Sequence, residues 1–217
     1  CVERVEAVTG RTLWITEPFR TLFPKDDELI ERVQMARNLI ETPLDGAVKL
    51  TDVTVTMDEQ VLALVERSGR AACVDPSTGK LLWAGATPVQ QVHDADVGGG
   101  ALVIGGQSDQ PAGPGMLGAG TINLVAVVDA RSGRLMHKLE QAAGRVRYIR
   151  CAGRAGPAGV SRAAAVIGLD TEVVCVDLET GRSNWTIAGR PAFESREAWV
   201  FGDRLFLLDE NRSLWLA

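Results

Sequence analysis

Apolar residues in this chain alternate with polar ones over short stretches, and turn-forming residues interrupt them every few positions. VLALVERSGRAACVD (61–75), AAAVIGLDTEVVCVD (163–177) and RLFLLDENRSLWLA (204–217) share one layout. In each, an apolar strand meets a polar turn (Arg67-Ser68-Gly69, Asp170-Thr171, Glu210-Asn211), and a second apolar strand follows. Runs of this length with period-two alternation and Gly, Asp or Ser at their ends read as β-strands. ALVIGGQSD (101–109) supplies the same first strand in another unit, where the turn has grown into QPAGPGMLGAGTI, a Gly/Pro loop without strand pattern. Upstream of these pairs lie LTDVTVTM, VQQVHDADV, VRYIRCAG and REAWVFG, each predicted as an innermost strand. The pattern predicts a four-stranded antiparallel meander, repeated along the chain.

A stronger periodicity sits at the end of each meander. RVEAVTGRTLW (4–14), CVDPSTGKLLW (73–83), VVDARSGRLMH (127–137) and CVDLETGRSNW (175–185) align without gaps on Gly10, Gly79, Gly133 and Gly181. Each glycine follows Thr or Ser, precedes Arg or Lys, and has an acidic residue four positions before it: Glu6, Asp75, Asp129, Asp177. Trp14, Trp83 and Trp185 stand four after it, and His137 takes that place in the third unit. The chemistry is that of a hairpin turn, with glycine at a positive-φ position and carboxylate and hydroxyl capping the turn's N–H groups. The indole then falls at a fixed place on the outgoing strand, where its flat face fills the gap between neighbouring sheets. The glycine spacings, 69, 54 and 48 residues, lie near the ~40–50 of a propeller blade once insertions are allowed.

These residues resemble the PQQ-like (quinoprotein-type) β-propeller repeat, whose signature reads A-x-D-x-x-T-G-x-x-x-W. Cys73 and Cys175 replace the small Ala in two units. Arg4 and Glu6 depart from the signature in the first unit, Val127 and His137 in the third. The resemblance covers most of the chain except residues 16–48. It implies an all-β propeller with partial blades at about 1–15 and 195–217 and complete ones at about 50–86, 90–140 and 145–189. Cys73 and Cys175 are then small buried residues at equivalent strand positions, two blades apart and out of disulfide reach.

Segment 16–48 breaks the strand pattern. After Pro24, Leu29, Ile30, Val33, Ala36, Arg37 and Ile40 follow helical spacing, and Asp26, Asp27 and Glu28 occupy the first turn, where negative charge suits the helix dipole. This predicts a helix over about 25–41, ended before Pro43, read as a cap over a propeller edge in preference to a partner-binding helix. Both chain ends fall inside a meander, so the reading expects a fragment of a longer propeller or an open ring. Its uncharged last strand, Ser213–Ala217, is expected to meet the N-terminal hairpin in one composite sheet, within a chain or between two, because free strand edges invite pairing.

Composition narrows the function. Of the 217 residues 46% are apolar and 24% charged, and a net charge of −5 argues against nucleic acid, whose phosphates demand a basic face. No run approaches the ~20 apolar residues of a membrane helix. The four cysteines (Cys1, Cys73, Cys151, Cys175) and two histidines (His93, His137) lack zinc-site spacing, and Cys1, so close to strand-like sequence, reads as a boundary rather than a lipid anchor. Relatives by resemblance that bind a quinone beside calcium use an Asp base, acidic and amide ligands and often a vicinal Cys pair, and no such pair occurs here. His93, Asp94 and Asp96 in VHDADVGGG are the nearest metal candidates, weighed against solvated channel lining, which the reading favours. Gly98-Gly99-Gly100 lacks the Lys-Ser/Thr of a phosphate loop. His137 reads as a Trp substitute between blades. Arg145, Arg147, Arg150, Arg154 and Arg162 read as a solvated basic face rather than an anion site.

No catalytic, cofactor-binding or metal residue is therefore assigned, and no cofactor is expected. The resemblance implies a non-catalytic extracytoplasmic scaffold, periplasmic or cell-surface, with protein partners and self-association through open strand edges. The outer-membrane assembly-factor branch is one precedent. The alternatives are a fragment of a quinone-dependent dehydrogenase and a ligand-binding or sensor module of a larger surface protein.

Overall fold

The computed structural model describes residues 3–6, 11–15, 53–110, 120–141, 144–152, 163–188, 197–201, 204–208 and 214–216. Among them every regular element is a β-strand. The helix expected over 25–41, and the whole insertion 16–48, lie outside the described residues, so that expectation finds no support here.

Three four-stranded antiparallel meanders form the body. The first runs β3 (Val53–Met57), β4 (Leu62–Glu66), β5 (Arg70–Val74) and β6 (Leu81–Ala86). The second runs β7 (Gln91–Gly98), β8 (Ala101–Gln110), β9 (Gly120–Asp129) and β10 (Leu135–Gln141). The third runs β11 (Val146–Ala152), β12 (Ala164–Leu169), β13 (Glu172–Asp177) and β14 (Ser183–Ala188). Strands β8 and β9 extend into the stretch read from sequence as patternless loop: Gln110 pairs with Gly120, and the ladder is unbroken from there to Ala101 opposite Asp129. Backbone pairing carries these polar and glycine residues as strand although their side chains show no alternation.

The N-terminal hairpin, β1 (Glu3–Val5) and β2 (Thr12–Ile15), is a two-stranded sheet of its own. Strands β15 (Glu197–Phe201), β16 (Arg204–Leu208) and β17 (Leu214–Leu216) form a separate three-stranded sheet. Among the described residues the two ends do not share the composite sheet expected of them within the chain: β17 pairs with β16 and β1 with β2. Arg4 Nη1 instead donates to the Pro76 carbonyl at 2.6 Å, setting the hairpin against the turn of the first meander.

The cores lie between sheets. Ala63, Val65, Cys73, Leu102, Ile104, Leu124 and Ala126 fill the first gap, and Val103, Val125, Val127, Ile149, Ile167 and Val176 fill the second. The middle sheet is covered on both faces, which is why β8 and β9 carry unbroken apolar runs rather than alternation. Outer strands β6 and β14 return to half-exposed patterns. Propeller blades pack in this manner, face against face around a hub of innermost strands.

Each meander ends in the same hairpin. The Asp129 N–H donates to the Arg134 carbonyl at 2.8 Å and the Gly133 N–H to the Asp129 carbonyl at 2.9 Å. Both bonds recur at Asp75–Lys80 and Asp177–Arg182, and the first of them at Glu6–Arg11. Asp129 Oδ1 also accepts from the Ser132 N–H at 2.8 Å and its hydroxyl at 2.7 Å. Asp177 does the same with Thr180, at 2.8 and 3.0 Å. Bonds of this kind to the ionised form, from Ser77 at Asp75 and from Ser132 at Asp129, hold both carboxyls below the usual carboxylate range.

Candidate functional site

Two layers of side chains join one meander to the next, an outer one at the hairpins and an inner one at the hub. At the rim, Cys73 stands opposite Trp83 and Cys175 opposite Trp185, so the two indoles share a register position. Trp83 Nε1–H donates to the Ala130 carbonyl at 2.9 Å, inside the turn of the next meander. Its ring lies over Gly133, where an added Cβ would come within 2.7 Å of the indole; with φ at +73°, only glycine fits that turn and that neighbour. His137 repeats the arrangement one meander on: its Nε2 meets the Glu179 carbonyl at 2.9 Å and its ring covers Gly181. Trp185 departs from the expected packing. It is 39% exposed, against a half-buried Trp83. The side chain of Trp14 lies outside the described residues.

At the hub, β7 lies between β3 and β11. Alternation on β7 turns Val92, Ala95 and Val97 into the core, while Asp94 and Asp96 sit between strands. Asp94 Oδ2 accepts from the Ile149 N–H at 2.8 Å and from Arg150 Nη1 at 2.9 Å. The same Nη1 also donates to the Ile149 carbonyl. Asp96 Oδ2 accepts from the Cys151 N–H at 2.8 Å, and its Oδ1 from the Thr56 hydroxyl at 2.5 Å. One carboxylate therefore reaches both flanking meanders. Gly98 permits this closeness: a Cβ there would lie 2.7 Å from Cys151 Cβ.

Both carboxylates thus spend lone pairs on backbone N–H groups of the next blade, correcting the reading of Asp94 and Asp96 as solvated lining. Burial pushes the Asp94 carboxyl up, with the Ile149 N–H and Arg150 acting against it. Arg150 is corrected likewise, from solvated face to ion-pair partner, and Arg147 Nε pairs with Asp170 at 2.6 Å. Arg154 and Arg162 lie outside the described residues. Cys73, Cys151 and Cys175 are free thiols; burial raises Cys73 to about 12, and burial together with the nearby Asp96 raises Cys151. Neither is poised as a nucleophile. His93 is held below the usual imidazole value by burial and by the cations Arg145, Arg67 and Arg147.

The enzymes among the resembling propellers hold a quinone beside calcium, and the described residues of this chain do not fit that pair. Among them no group of three or more His, Cys, Asp or Glu converges to hold a metal ion, and the hub carboxylates are bound to backbone donors. Sequence reasoning found Asp94 and Asp96 but not their role, because D-x-D on an inner strand carries no mark of what lies across the seam. Thr56 was missed, since a lone Thr in an alternating strand has no distinguishing signal.

Repeated four-stranded blades joined at hub and rim define a β-propeller. The family model described as outer membrane protein assembly factor BamB matches residues 1–216, and the chain belongs to that PQQ-like propeller family. Among solved structures, the computationally designed Ika4 protein is 14% identical, with a TM-score of 0.55 over 81% of this chain and 94% of its own. The Pan2 WD40 domain of Neurospora crassa is 16% identical, with a TM-score of 0.52 over 75% of this chain and 48% of its own. BamB from Moraxella catarrhalis is 18% identical, with a TM-score of 0.49 over 76% of this chain and 46% of its own. The chain thus spans about half the length of the latter two. A search of the curated proteins returned no match. Among the described residues, no helix is long and apolar enough to cross a membrane.

Proposed function

We propose that this chain is part of a non-catalytic propeller scaffold, one that engages a protein partner in the periplasm during outer-membrane protein assembly. The observation that carries this reading is the match of the assembly-factor family over residues 1–216. It is supported at the hub, where carboxylates that a metal or a base mechanism would need are engaged in holding blades together. A scaffold has different requirements: rigid blades, and loops and strand edges free to meet another chain. Strand β6 has the character of such an edge, with Leu81 and Leu82 exposed on an outer strand that carries no charge.

Site-specific photo-crosslinking in cells of the source organism tests the proposal. Crosslinkers at Leu82, on β6, and at Arg134, on an exposed turn, are expected to capture a component of the outer-membrane assembly machinery from at least one position. Capture of cytoplasmic proteins alone, or of nothing from either position, overturns it.

A further inference from the structure

The topology gathers at one end of the hub a set of cations that are scattered along the sequence. Innermost strands β7 and β11 lie side by side, Asp94 bonding across to Ile149 and Asp96 to Cys151. His93 therefore faces the start of β11, where Arg145 and Arg147 stand. On its other side the Val92 N–H donates to the Arg67 carbonyl at 2.9 Å, bringing the β4–β5 turn to the same place. Three consecutive blades thus contribute Arg67, His93, Arg145 and Arg147 to one mouth of the hub, and the three guanidiniums act on the imidazole.

Of the three guanidiniums at this mouth one is spoken for and two are not, and Arg150, further along β11, is taken as well. Arg150 is paired with Asp94, and Arg147 with Asp170. Asp170 Oδ2 is further taken by the Arg145 N–H at 2.8 Å, and Glu66, beside Arg67, accepts from the Ser68 hydroxyl at 2.9 Å. Arg67 and Arg145 are exposed and form no salt bridge among the described residues. This concentration of positive charge occurs in a chain whose net charge is −5. At the same end the β8–β9 hairpin runs on past the start of β7, pairing Ser108–Gln110 with Gly120–Ile122. Gln90, Gln107 and Asn123 line its base with amides. Guanidiniums flanked by amides suit an extended segment that carries carboxylates, the charges fixing side chains and the amides meeting backbone.

We propose that this mouth of the hub docks an acidic, extended segment of a protein partner through Arg67 and Arg145, with His93 between them. The proposal rests on the scaffold reading above and names the chemistry of the partner.

Fluorescence anisotropy with a fluorescein-labelled hexaglutamate peptide tests it, with hexalysine and inorganic phosphate as the other probes. The folded chain is expected to bind hexaglutamate at about 0.02 M salt, more weakly at about 0.15 M, and not to bind hexalysine. Arg67→Ser with Arg145→Ser should weaken hexaglutamate about fivefold or more. Arg182→Ser, an exposed arginine of a hairpin turn, should leave it unchanged. Both mouth arginines are exposed, so an unchanged unfolding midpoint will show the double variant to be folded. Equal affinity in wild type and the double variant, or displacement by phosphate at the same charge concentration, overturns the proposal. Either result with the crosslinks retained removes the mouth and leaves the scaffold standing. Loss of the crosslinks with hexaglutamate binding intact does the reverse.

Discussion

The two seams on either side of the middle blade do the same job with different parts. The seam between β3–β6 and β7–β10 is fastened outside by the Trp83 indole on Ala130 and Gly133, and inside by the backbone bond from Val92 to Arg67 and by a single bond to a carboxylate, Thr56 to Asp96. The seam between β7–β10 and β11–β14 has the smaller His137 ring outside and a denser inside: Asp94 to Ile149 and Arg150, Asp96 to Cys151. Where the rim aromatic shrinks, charged bonds at the hub multiply. The repeat therefore fixes a position for a flat ring rather than an identity, and a blade joint draws on area at the rim and on charge-assisted hydrogen bonds at the hub.

Removing each fastener separates the two contributions. Trp83→Ala should cost about 2–4 kcal/mol in chemical denaturation, toward the lower part of the range for large-to-small aromatic truncations because the ring is only half-buried. Trp185→Ala, at the same register but 39% exposed, should fall within about 0.5 kcal/mol of wild type. Equal costs for the two would end the comparison. Asp96→Ala comes next, at about 1–3 kcal/mol, since it strands the Cys151 N–H and the Thr56 hydroxyl at a part-buried seam.

Acid unfolding distinguishes hub from rim by sign. The Asp129 carboxyl is held low in the folded state, so its contribution is complete above the unfolded value near ~3.9 and is lost as pH falls through the lower folded one. Asp94 is held high, so the folded state takes up its proton first. Its ionised form costs stability, which is regained as pH falls through its raised value toward ~3.9. Asp94→Asn should therefore flatten a gain on mild acidification, and Asp129→Asn should remove a loss at lower pH. Opposite outcomes in stability-versus-pH curves would show that the two environments have been misjudged.

A small gain is expected from His137→Trp. An indole over Gly181 should add about 0.5–1 kcal/mol if the place accepts any flat ring, and should cost stability if the seam is built to imidazole size.

Much of this was legible in sequence because turns carry chemistry that must be written locally. Asp129, Ser132 and Gly133 fall within five consecutive positions, and the same pattern, with Thr for Ser, recurs at 75–79 and 177–181. What lies across a seam is not local. Nothing near Asp96 announces Thr56, 40 positions earlier, or Cys151, 55 later. The β8–β9 ladder escaped for a related reason, since strand pairing there is carried by backbone through polar and glycine residues. Arg150 was misread because its partner Asp94 is 56 positions away.

The central claim is that the hub carboxylates hold blades and do not hold a cofactor. Thermal unfolding of wild type and Asp96→Ala, each with and without calcium and pyrroloquinoline quinone, tests it directly. The expected result is a midpoint lowered by the substitution and unmoved by calcium and quinone in either protein. A wild-type midpoint that rises with calcium and quinone, as ligand linkage requires of a true site, while that of Asp96→Ala does not, would contradict it.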